Sequence, residues 1–161
     1  MKKELAIAFF VMASVWLRLI PHLPNFTPIT SLALFSGVFF KRKELSLLVP
    51  LIAMGLSDIV LGFYQISFWV YGGFILVTML GWLMKEIKVT SVLVSSIIFF
   101  IVSNLGVWFI GYQHTFNNLI ECYVLGIPFF GYSIAGDLVW SFILFNAWSL
   151  IEDSKFVLKK V

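Results

Sequence analysis

Clusters of basic residues alternate with long apolar runs in this chain, and that alternation restricts the fold more than any other feature. Ten of the eleven Lys and Arg residues would share one side of a membrane if each apolar run crossed it, and only Arg18 would lie on the other side. The ten are Lys2, Lys3, Lys41, Arg42, Lys43, Lys85, Lys88, Lys155, Lys159 and Lys160. This positive-inside pattern predicts a polytopic membrane protein with both termini in the cytoplasm.

The composition favours the same class of protein. Apolar residues make up 61% of the chain and charged residues 12%, against roughly half and a quarter in soluble domains. The net charge of +3 therefore marks cytoplasmic loops, and no nucleic-acid partner is predicted. The 161 residues fit a single domain, residues 1–161, and the single cysteine, Cys122, excludes an internal disulfide. The apolar start of the chain has no small-x-small cleavage site after it, so we interpret it as a retained first helix.

The apolar runs predict an all-α integral membrane protein, a compact bundle of six transmembrane helices. The second apolar run has only 12 residues, which cover about 18 Å of the roughly 30 Å hydrocarbon core. It must extend to about residue 43 or begin inside the protein, with irregular backbone shielded by neighbouring helices or lining a cavity. We place Thr27 as its N-cap and Pro28 at its first helical position. The predicted helices are 5–20, 29–43, 45–61, 68–84, 89–110 and 132–151.

Small residues four positions apart predict where helices approach one another closely. Four such pairs occur. Because pairs of this kind are common in apolar sequence, we expect about half of them to lie at a contact between helices. The pairs are Ala33 and Gly37, Ala53 and Ser57, Ser91 and Ser95, and Gly131 and Ala135.

Polar residues concentrate in the segments predicted to lie outside: residues 18–27, 57–67 and 111–131. The last of these is long for a connection between helices, and long loops are often functional. Arg18, Asp58 and Asp137 are predicted at the outer helix ends, with Asp137 near the start of the sixth helix. Charges near a membrane usually pair or face a cavity, so Arg18 either forms a structural salt bridge with one aspartate or contacts a ligand. Ionisable side chains in mid-span are almost absent, so proton coupling is not expected.

We predict a substrate cavity in the outer half of the bundle. Asn104 and Trp108 are four residues apart and share a helix face, which could form a ligand wall or a helix-to-helix hydrogen bond. Tyr71 and Tyr112 could add to this wall. Segment 21–27 would close the cavity, and segment 111–131 would complete it. The predicted substrate-binding residues are Asn25, Tyr71, Asn104, Trp108, Tyr112, His114 and Cys122.

Signatures of enzymes are weak. The sequence has no Gly-rich phosphate loop, no HExxH and no CxxC. His22, His114, Glu121 and Cys122 could hold a metal or form a nucleophile with its base, but their spacing supports neither arrangement. We therefore predict no enzyme activity, no metal and no cofactor.

Four segments carry a resemblance to a known family. RLIPHLPNFTPITSLALFSGVFF, LSDIVLGF, SNLGVWFIGY and CYVLGIPFFGYSIAGDL, which together span most of the chain, resemble an uncharacterised bacterial membrane-protein family. That family is grouped with the substrate-binding S components of energy-coupling-factor (ECF) transporters. The resemblance implies six helices with both ends inside, a bacterial cytoplasmic (inner) membrane location, and a vitamin or metal ion bound in an outward-opening pocket.

The resemblance implies the ECF transmembrane and ATPase subunits as partners, beside the lipid bilayer and a vitamin-like small molecule. Helix one has Ala6, Ala8 and Ala13 but lacks the Ala-x-x-x-Ala pair with which S components dock on the shared subunit, so a stand-alone protein is the alternative. The sequence thus predicts a substrate-binding and uptake protein of S-component type. Two alternatives stay open: an assembly protein with an outer protein-binding surface, and a membrane-embedded enzyme using Cys122 or a histidine-bound metal.

Overall fold

The computed structural model is all-helical over the residues it describes, which are 2–84 and 86–158 for the backbone and 4–84 and 86–151 for the side chains. Six helices follow one another: α1 Lys2–Leu19, α2 Ile29–Phe39, α3 Lys43–Leu61, α4 Ser67–Leu83, α5 Val89–Gly111 and α6 Phe116–Leu158. Lys85, Lys159 and Lys160, which contribute to the charge pattern, lie outside the described residues, as do the side chains of Lys2, Lys3 and Lys155.

The helix α2 lies at the centre of the bundle. Every residue from Ile29 to Gly37 is buried, and α2 packs against each of the other five helices. Its 11 residues cover about 16 Å, so neighbouring helices must cover its ends. The predicted shielding of this short segment by its neighbours is therefore observed, but the expectation of irregular backbone is wrong, because residues 29–39 form a regular α-helix.

The predicted end of α2 at residue 43 is wrong. The helix ends at Phe39 because Phe40 adopts an extended conformation, with φ −94° and ψ 124°. The Ser36 hydroxyl donates a hydrogen bond to the Ser46 carbonyl at 2.8 Å, which ties the end of α2 to the first turn of α3. At the other end Pro28, not Thr27, occupies the N-cap position, and no side chain caps the helix.

The predicted start of α6 at residue 132 is also wrong. The helix begins at Phe116 and continues through Pro128, so only residues 112–115 connect α5 to α6. A proline inside a helix removes one hydrogen bond, and long apolar helices tolerate that loss when the remaining backbone bonds are kept. The correction moves Asp137 from a helix end into the interior of α6.

Among the described residues, three helices are long and apolar enough to cross a membrane: Lys43–Leu61, Val89–Gly111 and α6 up to Ile151. Ile29–Phe39 and Ser67–Leu83 are apolar but shorter. Large apolar side chains also point outward, with Phe9, Phe68 and Phe142 exposed by 67%, 80% and 70%. An apolar outer surface of this kind marks contact with lipid or another protein, and together these features indicate a membrane protein.

The two ends of the bundle differ in character. We call the end with connections 20–28, 62–66 and 112–115 the cavity end, and the end with connections 40–42 and 84–88 the basic end. At the basic end the α2 and α4 backbones touch: a Cβ atom on Gly81 would lie 2.8 Å from the Gly37 Cα and 2.8 Å from the Leu34 carbonyl oxygen. Glycine is required at this contact because any side chain would force the two helices apart.

Most of the predicted small-residue pairs are buried. Ala33 and Gly37 on α2, Ala53 and Ser57 on α3, and Ser91 and Ser95 on α5 all face the interior. The fourth pair is wrong, because Gly131 and Ala135 are exposed. The buried glycines of α6 are instead Gly126, which packs on Asn104, and Gly136, which packs on Phe26.

Candidate functional site

A cavity of about 490 Å³ occupies the cavity end of the bundle. All six helices and two connections contribute to its wall, which mixes aliphatic, aromatic and polar side chains. The lining residues are Arg18, His22, Asn25, Thr27, Ile29, Thr30, Met54, Leu61, Tyr64, Ile66, Ser67, Val70, Phe74, Phe99, Ser103, Asn104, Val107 and Phe129. The cavity is thus bordered by both α2 and α4, whose backbones touch at the basic end.

Connection 20–28 covers one side of the cavity. Asn25 adopts a left-handed backbone conformation, with φ 60°, which asparagine tolerates better than most residues. Phe26 packs this connection against α6. A Cβ atom added to Gly136 would lie 3.1 Å from the Phe26 Cα, and the centre of the Phe26 ring lies 6.4 Å from that of Trp140. His22 places Nδ1 2.6 Å from the Ile20 carbonyl oxygen. The segment predicted to close the cavity thus lies at its wall through His22, Asn25 and Thr27.

Arg18 and Asp58 form an ion pair beside the cavity. Arg18 Nη1 lies 2.6 Å from Asp58 Oδ1 and also donates to the Ser57 hydroxyl. The Tyr71 hydroxyl donates to Asp58 Oδ2 at 2.9 Å. Asp58 is only 1% exposed, so its charge is balanced inside the protein by Arg18 and supported by Tyr71. The network joins α1, α3 and α4 next to the cavity.

Asp137 is not part of this network. It lies inside α6, 1% exposed, and accepts a hydrogen bond from the Ser96 hydroxyl at 2.6 Å. Its backbone carbonyl accepts a hydrogen bond from Ser31 at 3.0 Å. Of the two aspartates predicted as partners of Arg18, the structure therefore pairs Asp58 and leaves Asp137 among hydroxyl groups.

The structure separates the predicted substrate-binding residues. Asn25 and Asn104 line the cavity, whereas Tyr71, Trp108, Tyr112, His114 and Cys122 are not among its lining residues. Tyr71 instead bonds Asp58, and the Trp108 and His114 rings pack against each other at 5.1 Å. The Tyr112 amide donates to the Trp108 carbonyl at 3.2 Å. Cys122 is buried, and its thiol donates to the Asn104 carbonyl at 3.5 Å.

Asn104 connects the cavity to α6. Its amide group donates to the Phe100 carbonyl at 2.9 Å, one helical turn back, while its Oδ1 would lie 2.5 Å from a Cβ atom on Gly126. Gly126 therefore leaves the space that the Asn104 side chain occupies. One of its two amide N–H groups is satisfied within its own helix, and the side chain lies at the cavity wall.

Sequence reasoning missed several polar residues of the wall. Thr30, Ser67 and Ser103 are hydroxyl residues within or beside apolar runs, where they commonly bond to their own helix backbone and give no signal. Ser103 lies four residues before Val107, on the same face of α5. Both residues line the cavity.

No group of three or more His, Cys, Asp or Glu side chains converges on a metal-sized site within the part of the chain that the structure describes. His22 and His114 are exposed and each lies near a backbone carbonyl, of Ile20 and Phe109 respectively. The alternative of a histidine-bound metal therefore receives no geometric support from the described residues.

Comparison with family models gives one match, over residues 1–159, to a family of unknown function, DUF6580. The chain belongs to the DUF6580 family. The match covers α1 to α6. Neither the curated proteins nor the solved structures contain a match to this DUF6580 chain.

Proposed function

We propose that this DUF6580 protein binds a vitamin-like small organic molecule in the cavity at the end opposite the basic loops, and takes part in its uptake across a membrane. The observation that carries the proposal is the cavity of about 490 Å³, within the roughly 300–1,000 Å³ typical of small-molecule sites. Its wall places a few polar groups among apolar and aromatic ones, which is the usual composition of such sites. The resemblance to S components supports the same role, which is binding and transfer rather than catalysis.

The charges around the cavity favour a largely neutral ligand. Arg18 is the one Lys or Arg of the wall, and Asp58 already balances its charge at 2.6 Å. A multiply charged phosphate would call for several free Arg or Lys side chains. Asn25, Ser103 and Asn104 can instead exchange neutral hydrogen bonds with a ligand, while Phe74, Phe99 and Phe129 contribute aromatic surface to the wall.

The membrane arrangement proposed with this function has six spans, with the basic end in the cytoplasm of a bacterium and the cavity facing outward. The basic residues of connection 40–42 support this orientation. In a Cys122→Ala background, a cysteine at Lys41 should react with a membrane-impermeant thiol reagent only after the cells are opened. A cysteine at Asn117 should react in intact cells, and labelling of both positions from the same side would refute the orientation.

A panel of water-soluble vitamins, including cobalamin, tests the binding site through thermal unfolding of the detergent-purified protein. A molecule that binds only the folded state raises the melting temperature by mass action. Val107→Trp should remove that increase, because the indole would fill part of the cavity.

Val94→Trp is the matched control. Val94 and Val107 are both on α5 and are similarly exposed, by 41% and 38%, but Val94 does not line the cavity. The control should keep the wild-type response to the vitamin. A response lost in both variants, or kept in both, would place binding elsewhere on the protein.

A further inference from the structure

The Asp137 carboxyl is an ionisable group inside an apolar helix without a charged partner. It is 1% exposed, and no described residue forms an ion pair with it. Ser96 donates to Oδ2 at 2.6 Å, and Oδ1 has no hydrogen-bond partner among the described residues. A carboxyl group that is buried in this way requires neutralisation, because an isolated ionised form is costly to remove from water.

The neighbouring helices supply oxygen atoms but no charge. Thr30 on α2 faces the carboxyl, and Ser31 on α2 bonds the Asp137 backbone carbonyl at 3.0 Å. The helices Ile29–Phe39 and Val89–Gly111 contain no ionisable side chain. Arg18 of α1 is paired with Asp58, and Lys88, before α5, is paired with Glu86 at 2.7 Å. Among the described residues, no side chain is therefore placed to neutralise the Asp137 carboxylate.

Asp137 also lies between two cavities. Ser133 and Ser141 are one turn before and one turn after it on the same face of α6, and both are buried. Ser141 lines a second cavity of about 140 Å³, towards the basic end, and its hydroxyl has no hydrogen-bond partner among the described residues. On the other side, Thr30 and Phe129 line the main cavity. The buried hydroxyls around Asp137 thus lie between the two cavities.

We propose that Asp137, together with the hydroxyls of Thr30 and Ser96, binds one monovalent cation, either a proton or a sodium ion. Both cations bind oxygen atoms and both would neutralise the carboxylate. The cation would arrive through the main cavity, since Thr30 contributes to that cavity and to the surroundings of Asp137. The site is independent of the organic ligand proposed above, and it lies within a helix where the sequence led us to expect no proton coupling.

Two measurements on the purified full-length protein in nanodiscs distinguish the cations. The first is the melting temperature in sodium chloride against N-methylglucamine chloride at constant ionic strength. The second is the infrared stretch of a protonated carboxyl group, recorded across neutral pH. A bound sodium ion should raise the wild-type melting temperature by several degrees, in proportion to the logarithm of its concentration. A bound proton should give the protonated-carboxyl signal at neutral pH without a sodium response.

Asp137→Asn should abolish whichever response the wild type shows, because the amide keeps the shape of the side chain but binds neither cation. Asp58→Asn is the control: it removes an equally buried aspartate that Arg18 balances, so the response should remain. If Asp137→Asn leaves the response unchanged, the site is refuted.

If Asp137→Asn fails to fold, the wild type and Ser96→Ala decide the question. Removing the Ser96 donor should shift the infrared frequency or weaken the sodium response. A wild type that has neither a protonated-carboxyl signal nor a sodium response overturns the proposal.

Discussion

The helices α2 and α4 pack differently at the two ends of the bundle. At the basic end Gly37 and Gly81 bring the backbones into contact. A Cβ atom added to Gly81 would lie only 2.8 Å from the Gly37 Cα. At the cavity end, Ile29 and Thr30 of α2 and Val70 and Phe74 of α4 line the cavity. Glycine thus allows backbone contact between the two helices at one end, whereas larger side chains of the same helices border the cavity at the other.

Polar contacts reinforce the difference. At the basic end the Trp82 indole donates to the Ser46 hydroxyl at 2.8 Å, and Lys43 Nζ lies 4.8 Å from the centre of the Trp82 ring. These contacts close α3 on α4. At the cavity end the Arg18, Asp58 and Tyr71 network joins three helices at one side of the cavity without filling it. One end is thus closed by packing, whereas the other has an ion pair and its hydrogen bonds at the side of a cavity.

The largest effect is expected from Arg18→Ala, which would break the Arg18, Asp58 and Tyr71 network. The substitution leaves Asp58 buried without its cation, and breaking a buried pair costs about 3 kcal/mol. Chemical denaturation of the purified protein measures the change in the free energy of unfolding. Adding Asp58→Ala to Arg18→Ala should cost little more, whereas adding Asp137→Ala should be additive, because Asp137 does not contact Arg18. Full additivity with Asp58→Ala would show that Arg18 and Asp58 do not stabilise the fold as a pair.

A smaller effect is expected from Gly81→Ala at the basic end. Its methyl group would meet the α2 backbone, and overpacking of this kind costs about 2 kcal/mol. Gly72→Ala on the same helix is the control, since no atom lies within 4 Å of its added methyl group. That control should increase stability by about 0.5–1 kcal/mol, because alanine favours a helix over glycine. Equal changes in the two variants would show that the glycine contact does not hold α2 on α4.

Much of the fold could be predicted from the sequence because apolar runs and basic clusters mark helices and their connections. The bounds of α1, α3, α4 and α5 are within three residues of the predicted ones. The start of α6 could not be predicted in this way, since Pro128 is a helix breaker in most contexts and is tolerated here. That single residue also determines where Asp137 lies, so one error in a helix boundary moved a charge from the predicted surface into the interior.

The candidate site was less predictable than the fold. Sequence spacing places Asn104 and Trp108 on one face of α5, yet only Asn104 lines the cavity, while Trp108 packs on His114. Tyr71 is on the correct helix but its hydroxyl bonds Asp58. The rotation of each helix about its own axis and the choice of side-chain partners decide such details, and both depend on contacts between residues far apart in the chain.

The most direct test of the central claim, that the cavity end holds an organic small molecule, is mass spectrometry of molecules released from protein purified in mild detergent. Wild type and Val94→Trp should both release the same organic compound in near-stoichiometric amounts. Val107→Trp, in which the indole occupies the cavity, should release much less of it. Equal release from all three proteins, or no organic compound from folded wild type, would contradict the account.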